Sequence, residues 1–105
     1  MLIVTTFEVP NKRIVETLGI VKGNTIRARH IGKDIMAGLR GVVGGVLHEY
    51  TKLLAESREQ AIDRMVEDAK ALGANAIVGM SFTTSVMAQG SAELMAYGTA
   101  VIIED

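Results

Sequence analysis

The chain has 105 residues, with 11 Lys and Arg against 12 Asp and Glu, two His, no Cys and no Trp. Apolar residues make up 49% and charged residues 22%, the balance of one globular domain rather than a disordered segment. A net charge of -1 gives no general attraction to nucleic acid or an anionic membrane, and the lack of Cys excludes a disulfide frame, a thiolate metal site and a cysteine nucleophile.

Met1-Leu2-Ile3-Val4-Thr5-Thr6 lacks the basic start and long apolar core of a signal peptide, and no apolar run approaches the roughly 20 residues of a membrane-spanning helix. The chain therefore reads as cytoplasmic. Leu2 to Phe7 predicts a short strand, closed by the turn signal Pro10-Asn11. Arg13 to Arg29 predicts extended backbone through Ile14, Val15, Ile20, Val21 and Ile26, with a bend or hairpin turn at Gly23-Asn24. In the stretch from Gly32 to Gly45, Asp34 to Arg40 predicts a short helix. Gly38, Gly41, Gly44 and Gly45 then favour a tight connection over further helix.

Leu47 to Leu72 predicts one long amphipathic helix. At 100° per residue, Leu47, Tyr50, Leu54, Ala61, Ile62, Met65, Ala69 and Leu72 share one side, with Val66 at its edge. Glu49, Lys52, Glu56, Glu59, Asp63, Glu67 and Lys70 take the other. Gly73 is placed to cap the helix. Ser57-Arg58-Glu59-Gln60 resembles a capping box that could restart it, but the apolar spacing runs through unbroken. Val78, Met80 and Phe82 then alternate with Gly79, Ser81 and Thr83 as a strand. Gln89-Gly90-Ser91 predicts a hairpin turn, and Leu94 to Ile103 a returning strand. The expected order is β-β-turn-β-α-β-β, a single α+β domain over residues 1–105 in which an antiparallel sheet packs on one long helix.

The last strand carries Val101 and Ile103 on one face and Ala100 and Ile102 on the other, so both faces need cover. One main helix covers only one. The expectation is a homo-oligomer in which copies hide the second face or the sheet edges; the alternative is that the Asp34–Arg40 helix covers it in a monomer.

No sequence motif declares a reaction. Arg58 falls by angle inside the apolar stripe between Leu54 and Ile62, where a guanidinium requires a partner. Glu16 is a candidate. Arg58 then reads either as a buried or subunit-bridging ion pair or as an anion-binding cation in a cleft. Arg27, Arg29, His30, Lys33 and Arg40 form a local basic cluster that a ring would repeat into one positive face or channel for a small anion; it has no aromatic neighbours for base stacking. A solvated strand end explains the cluster as well. The glycines from Gly38 to Gly45 match neither GxxxxGK[ST] nor GxGxxG, and no Ser sits in GxSxG. His30 with Asp34, and His48, are the candidate metal ligands, without HExxH spacing. Met80, Met87 and Met95 are soft donors that more often fill cores.

Gly38-Leu39-Arg40, Val43-Gly44-Gly45, then Tyr50, Leu54 and Arg58, then Ala69-Lys70-Ala71-Leu72-Gly73-Ala74-Asn75-Ala76-Ile77-Val78-Gly79, and finally Gly98-Thr99-Ala100-Val101, together resemble the YbjQ-like family. The resemblance spans nearly the whole chain and is most specific from Tyr50 to Gly79. Its small bacterial and archaeal members carry a heavy-metal-binding label. The resemblance implies a dodecin-subunit-like α+β fold and a homopentameric ring with a shared β-barrel, and it matches Arg58 to the family's Arg on the long helix. Flavin binding in dodecins uses a stacked Trp that this chain lacks, so flavin is not expected. Three functions follow as expectations. The first is a non-enzymatic ring with inter-subunit pockets for an anion or small ligand. The second is a metal-binding module built by symmetry from His30, His48 or carboxylates. The third is an enzyme with a site between subunits.

Overall fold

The computed structural model describes residues 1–27, 45–86 and 92–105, the side chains of 27, 45–51, 53, 86 and 92 aside. The expected Asp34–Arg40 helix, the glycine-rich stretch up to Gly44 and the Gln89-Gly90-Ser91 turn lie outside the described residues. Five elements follow in order: β1 (Leu2–Ile3), β2 (Arg13–Arg27), α1 (Gly45–Ala71), β3 (Ala76–Val86) and β4 (Ala92–Glu104). The strands form one sheet in the order β1-β3-β4-β2. β4 runs antiparallel to both β2 and β3, but β1 runs parallel to β3, with Leu2 opposite Ala76 and Ile3 opposite Ile77. The α+β class stands, and the sheet is mixed rather than antiparallel. β2 and α1 separate β1 from β3 in the chain, which gives the long connection that parallel neighbours need.

The turn expected at Gly23-Asn24 is absent, because β2 continues through it with Gly23 opposite Ala96 and Asn24 opposite Met95. A Cβ at Gly23 would collide with the Ala61 carbonyl oxygen and the Met65 amide nitrogen, and would stand 2.8 Å from Arg64 Cβ. The missing side chain lets the helix backbone rest directly on the strand. Irregular pairing falls earlier in β2, between Ile14 and Glu16 and between Thr17 and Gly19.

α1 is one helix, unbroken through Ser57-Arg58-Glu59-Gln60. Its buried line is Ser57, Ala61, Met65 and Ala69, four residues apart, with Ile62 and Val66 half-buried beside it. Ala61, Met65 and Ala69 join Val21, Ile77, Ala96 and Ala100 in the main core. Leu54 and Leu72, expected in the stripe, remain exposed. At its end, the Ala74 N–H donates to the Ala69 carbonyl at 3.1 Å and the Gly73 N–H to the Lys70 carbonyl at 3.0 Å, with Gly73 at φ 86°. This is a Schellman cap, so Gly73 terminates the helix as the sequence predicts. Asn75 then joins helix to sheet: its Nδ2 donates to the Ile103 carbonyl at 2.9 Å and its Oδ1 accepts from the Ile103 N–H at 2.8 Å.

The second face of β4 finds cover without another copy, contrary to the expectation from its sequence. Ala100 meets the helix-side core, while Val101, only 1% exposed, packs with Ala76 and Val78 on the other face. The cover there comes from the chain itself, since Val4 and Val9 of the N-terminal segment lie against that second cluster. Backbone bonds from Val4 N–H to the Ile77 carbonyl (2.9 Å) and from Gly79 N–H to the Thr6 carbonyl (2.8 Å) hold the segment in place. Large apolar side chains remain uncovered on β2, as does Phe7 of the N-terminal segment. Ile20 is 79% and Ile26 59% exposed, on the strand face opposite that of Val21, Gly23 and Thr25. The described residues form an elongated slab of 56 × 25 × 17 Å.

Candidate functional site

Beyond the main core, the N-terminal part of α1 and the arm formed by β2, β3 and β4 run on side by side and leave a cleft of about 380 Å³. Leu54, Ser57 and Arg58 line it from the helix; Thr25, Phe82, Thr84, Glu93 and Leu94 line it from the sheet. Its inner polar groups satisfy one another, because buried Thr25 donates its hydroxyl to the Ser57 carbonyl at 3.4 Å. The Glu93 carboxylate accepts from Asn24 Nδ2 at 3.1 Å. Leu54, 40% exposed, and Phe82, 38% exposed, present apolar surface to the opening.

Arg58 is exposed at this cleft and not buried in the helix stripe. Gly23 brings the helix down on β2 with its 57-61-65-69 line facing the sheet, so Ser57 takes the interior position. Arg58 follows it by one residue and sits about 100° around the helix. Glu16 is not its partner. Glu16 stands opposite Ile102 of β4, whereas Thr25 of the cleft stands opposite Leu94, eight strand residues or roughly 27 Å away. Among the described residues Arg58 makes no ion pair or hydrogen bond.

The other basic groups with resolved contacts are occupied. Lys12 pairs with Asp105 and Arg13 with Glu104 (3.5 Å), beside a broad hollow of about 1,060 Å³ along Thr6–Ile14. The hydrogen bond from Lys12 holds the Asp105 carboxyl below its ordinary range. Arg64 donates to the Asn24 carbonyl, and Asp68 accepts from the Lys22 N–H at 3.2 Å. Both reach over the outer edge of β2, the sheet's terminal strand.

Of the residues singled out by sequence, only Arg58 is placed at a described cavity. Arg27 ends β2 opposite Ala92, and His48 falls in the first turn of α1. Arg29, His30, Lys33, Asp34, Arg40 and Met87 lie outside the described residues. Met80 packs against the main core and Met95 is half-buried in β4. Among the described residues, no three His, Cys, Asp or Glu come together in a way that could hold a metal ion, and no helix is long and apolar enough to cross a membrane. Phe82, Leu94 and Thr25 escaped sequence reasoning because an arm of alternating strand residues gives no sign of which face a helix will overhang.

The YbjQ family model, described as "Putative heavy-metal-binding", matches residues 1–104. The chain belongs to that family. YbjQ relatives of similar length carry the name UPF0145 protein. The one from Methanosarcina acetivorans is 57% identical over 103 residues, covering 98% of this chain and 97% of its own. That of Dehalococcoides mccartyi strain 195 is 56% identical over 104 residues, 99% of this chain and 100% of its own. Archaeoglobus fulgidus has one at 54% identity over 101 residues, 96% of this chain and 94% of its own. The fold is similar to the crystal structure of a DUF74-family protein of unknown function from Pediococcus pentosaceus. That similarity has a TM-score of 0.66 at 18% identity and covers 99% of this chain and 98% of the other.

Proposed function

We propose that this YbjQ-family chain is a non-enzymatic, ring-forming homo-oligomer, a pentamer with a shared, dodecin-like β-barrel, whose assembly keeps pockets open for a small anionic ligand. The observation that carries the ligand reading is Arg58: a guanidinium at the mouth of a 380 Å³ cleft with no carboxylate bound to it among the described residues. Arg27, Arg29 and Arg40 belong to the same reading as cations that repetition around a ring would gather. The self-association reading rests on β2. Ile20 and Ile26 leave large apolar side chains in water, and the outer edge of β2 has no strand partner among the described residues. Among the described residues β3 is also open on its outer side beyond Met80, where the pairing to the N-terminal segment ends. Two unlike open edges favour head-to-tail contact, which closes into a ring when the rotation permits.

Native mass spectrometry of untagged protein tests the reading. The expected spectrum is a single closed oligomer, pentameric in mass, that retains small organic anions on gentle activation. A monomer at micromolar concentration overturns it. Metal in fixed ratio to the particle would replace it with the metal-binding reading built on His30, His48 and Asp34.

A further inference from the structure

The cleft is specific enough in its chemistry to name a ligand class. Its interior offers hydrocarbon and aromatic surface from Leu54, Phe82 and Leu94. The Thr25 hydroxyl donates to the Ser57 carbonyl, one oxygen of the Glu93 carboxylate accepts from Asn24, the Thr84 hydroxyl lies on an exposed residue, and no buried side-chain polar atom among the described residues lacks a partner. A ligand seated inside therefore meets no buried side-chain polar atom that needs satisfying. It would lose hydrogen bonds by bringing polar groups there, because buried groups without partners are costly. The one charged group of the lining with no partner among the described residues is Arg58, at the opening. At 380 Å³ the space equals roughly a dozen water volumes at about 30 Å³ each, the small end of ligand pockets.

We infer that the cleft between α1 and the β-arm binds a small amphiphilic carboxylate, its apolar body against Leu54, Phe82 and Leu94 and its carboxylate on the Arg58 guanidinium. A planar fork of donors matches a carboxylate in bidentate geometry. A polyphosphate does not suit the site, because it needs several donors and the lining supplies one cation. The inference rests on the proposed function for the pocket remaining open in the assembled particle; every residue it uses belongs to a single copy.

The test is calorimetric titration of the full chain in its native assembly with three probes: octanoate, octan-1-ol and acetate. Octanoate is expected to saturate at one per chain. Octan-1-ol, with the same body and no charge, is expected to bind at least about tenfold more weakly, as the loss of a charge-assisted pairing implies, and acetate is expected to give no saturable heat. Arg58→Gln should bring octanoate down to the affinity of octan-1-ol while leaving octan-1-ol unchanged, and Arg58→Lys should keep the preference for octanoate. Arg58 is exposed, so neither variant disturbs the core. No octanoate binding at millimolar concentration, equal affinities for octanoate and octan-1-ol, or an Arg58→Gln variant that binds octanoate like the wild type each overturns the inference. Native masses recorded on the same samples keep the two readings apart. A monomer that binds octanoate through Arg58 removes the ring and leaves this ligand class standing, whereas an intact ring blind to octanoate removes the ligand class alone.

Discussion

Gly23→Ala probes the contact that positions the candidate site. The added methyl meets the Ala61 carbonyl oxygen and the Met65 amide nitrogen, and Arg64 Cβ at 2.8 Å. The first two are backbone atoms of α1, so no side-chain rotation relieves the clash and the helix must lift. Overpacking of this kind costs about 1–3 kcal/mol. A gap of about 0.5–1 Å further forfeits a quarter to a half of the dispersion attraction across it, here along Ala61, Met65 and Ala69. Against this, replacing a strand glycine returns only about 0.5–1 kcal/mol of chain entropy. The net expectation is a loss of about 2–3 kcal/mol in urea unfolding followed by circular dichroism at fixed protein concentration. Thermal melting should fall by about 10–20 °C on the scaling for small domains. Gly73 supplies the contrast: its φ is 86° and nothing stands within 4 Å of a Cβ, so Gly73→Ala pays only for backbone strain, about 1–2 kcal/mol, and Gly73→Asn less. At Gly23, Asn should be worse than Ala, because volume is what the site refuses. A Gly23→Ala protein within about 0.5 kcal/mol of the wild type would show that α1 does not rest on β2 at this point, and the placement of Arg58 over the cleft would fall with it.

Two further substitutions address assembly. Ile20→Lys puts a charge on the most exposed apolar position of β2 and should split the particle into smaller species by native mass spectrometry without lowering the helix content; an unchanged oligomer would show that this face is not the contact between copies. The double variant Arg64→Ala with Asp68→Ala releases the Lys22 N–H and the Asn24 carbonyl on the outer edge of β2, and should produce species heavier than the wild-type particle by light scattering; an unaltered mass distribution would refute a guarding role for these side chains.

The helix was legible because its signal is redundant: apolar spacing, a charged opposite side and Gly73 agree over 27 residues. The segment Gly73-Ala74-Asn75-Ala76-Ile77-Val78-Gly79, the most specific part of the family resemblance, now has a structural account. Gly73 caps the helix, Ala74 packs on the core, Asn75 bonds both backbone groups of Ile103, and Gly79 takes a φ of 61° beneath the Phe7 ring. None of these tasks requires a ligand. Gly23 was misread because a glycine demanded by a close helix looks the same in sequence as one demanded by a turn. The covering of Val101 was missed because nothing in Val4 to Val9 announces that this segment lies against the second sheet face. Arg58 was misplaced by a single residue of helix rotation, since averaging the apolar stripe cannot tell that the small Ser57, whose backbone carbonyl accepts from Thr25, takes the interior position.

One geometric choice links the edge, the cleft and the exposed arginine. By resting on β2, the terminal strand, rather than on the centre of the sheet, α1 swings its outer side chains over the strand edge. Arg64 and Asp68 there occupy backbone groups that would otherwise recruit another strand. The edge is thus closed around Lys22 and Asn24 and, among the described residues, open on either side of them, which limits where a second copy can pair. The same placement carries the helix along β2 to Thr25, where the cleft opens between Leu54 of the helix and Phe82 and Leu94 of the sheet, with Arg58 in its lining. A helix centred over β4 would bury Arg58 against the sheet or turn it to solvent away from any cavity. The guarded edge and the cleft therefore share one structural cause, the absence of a side chain at Gly23.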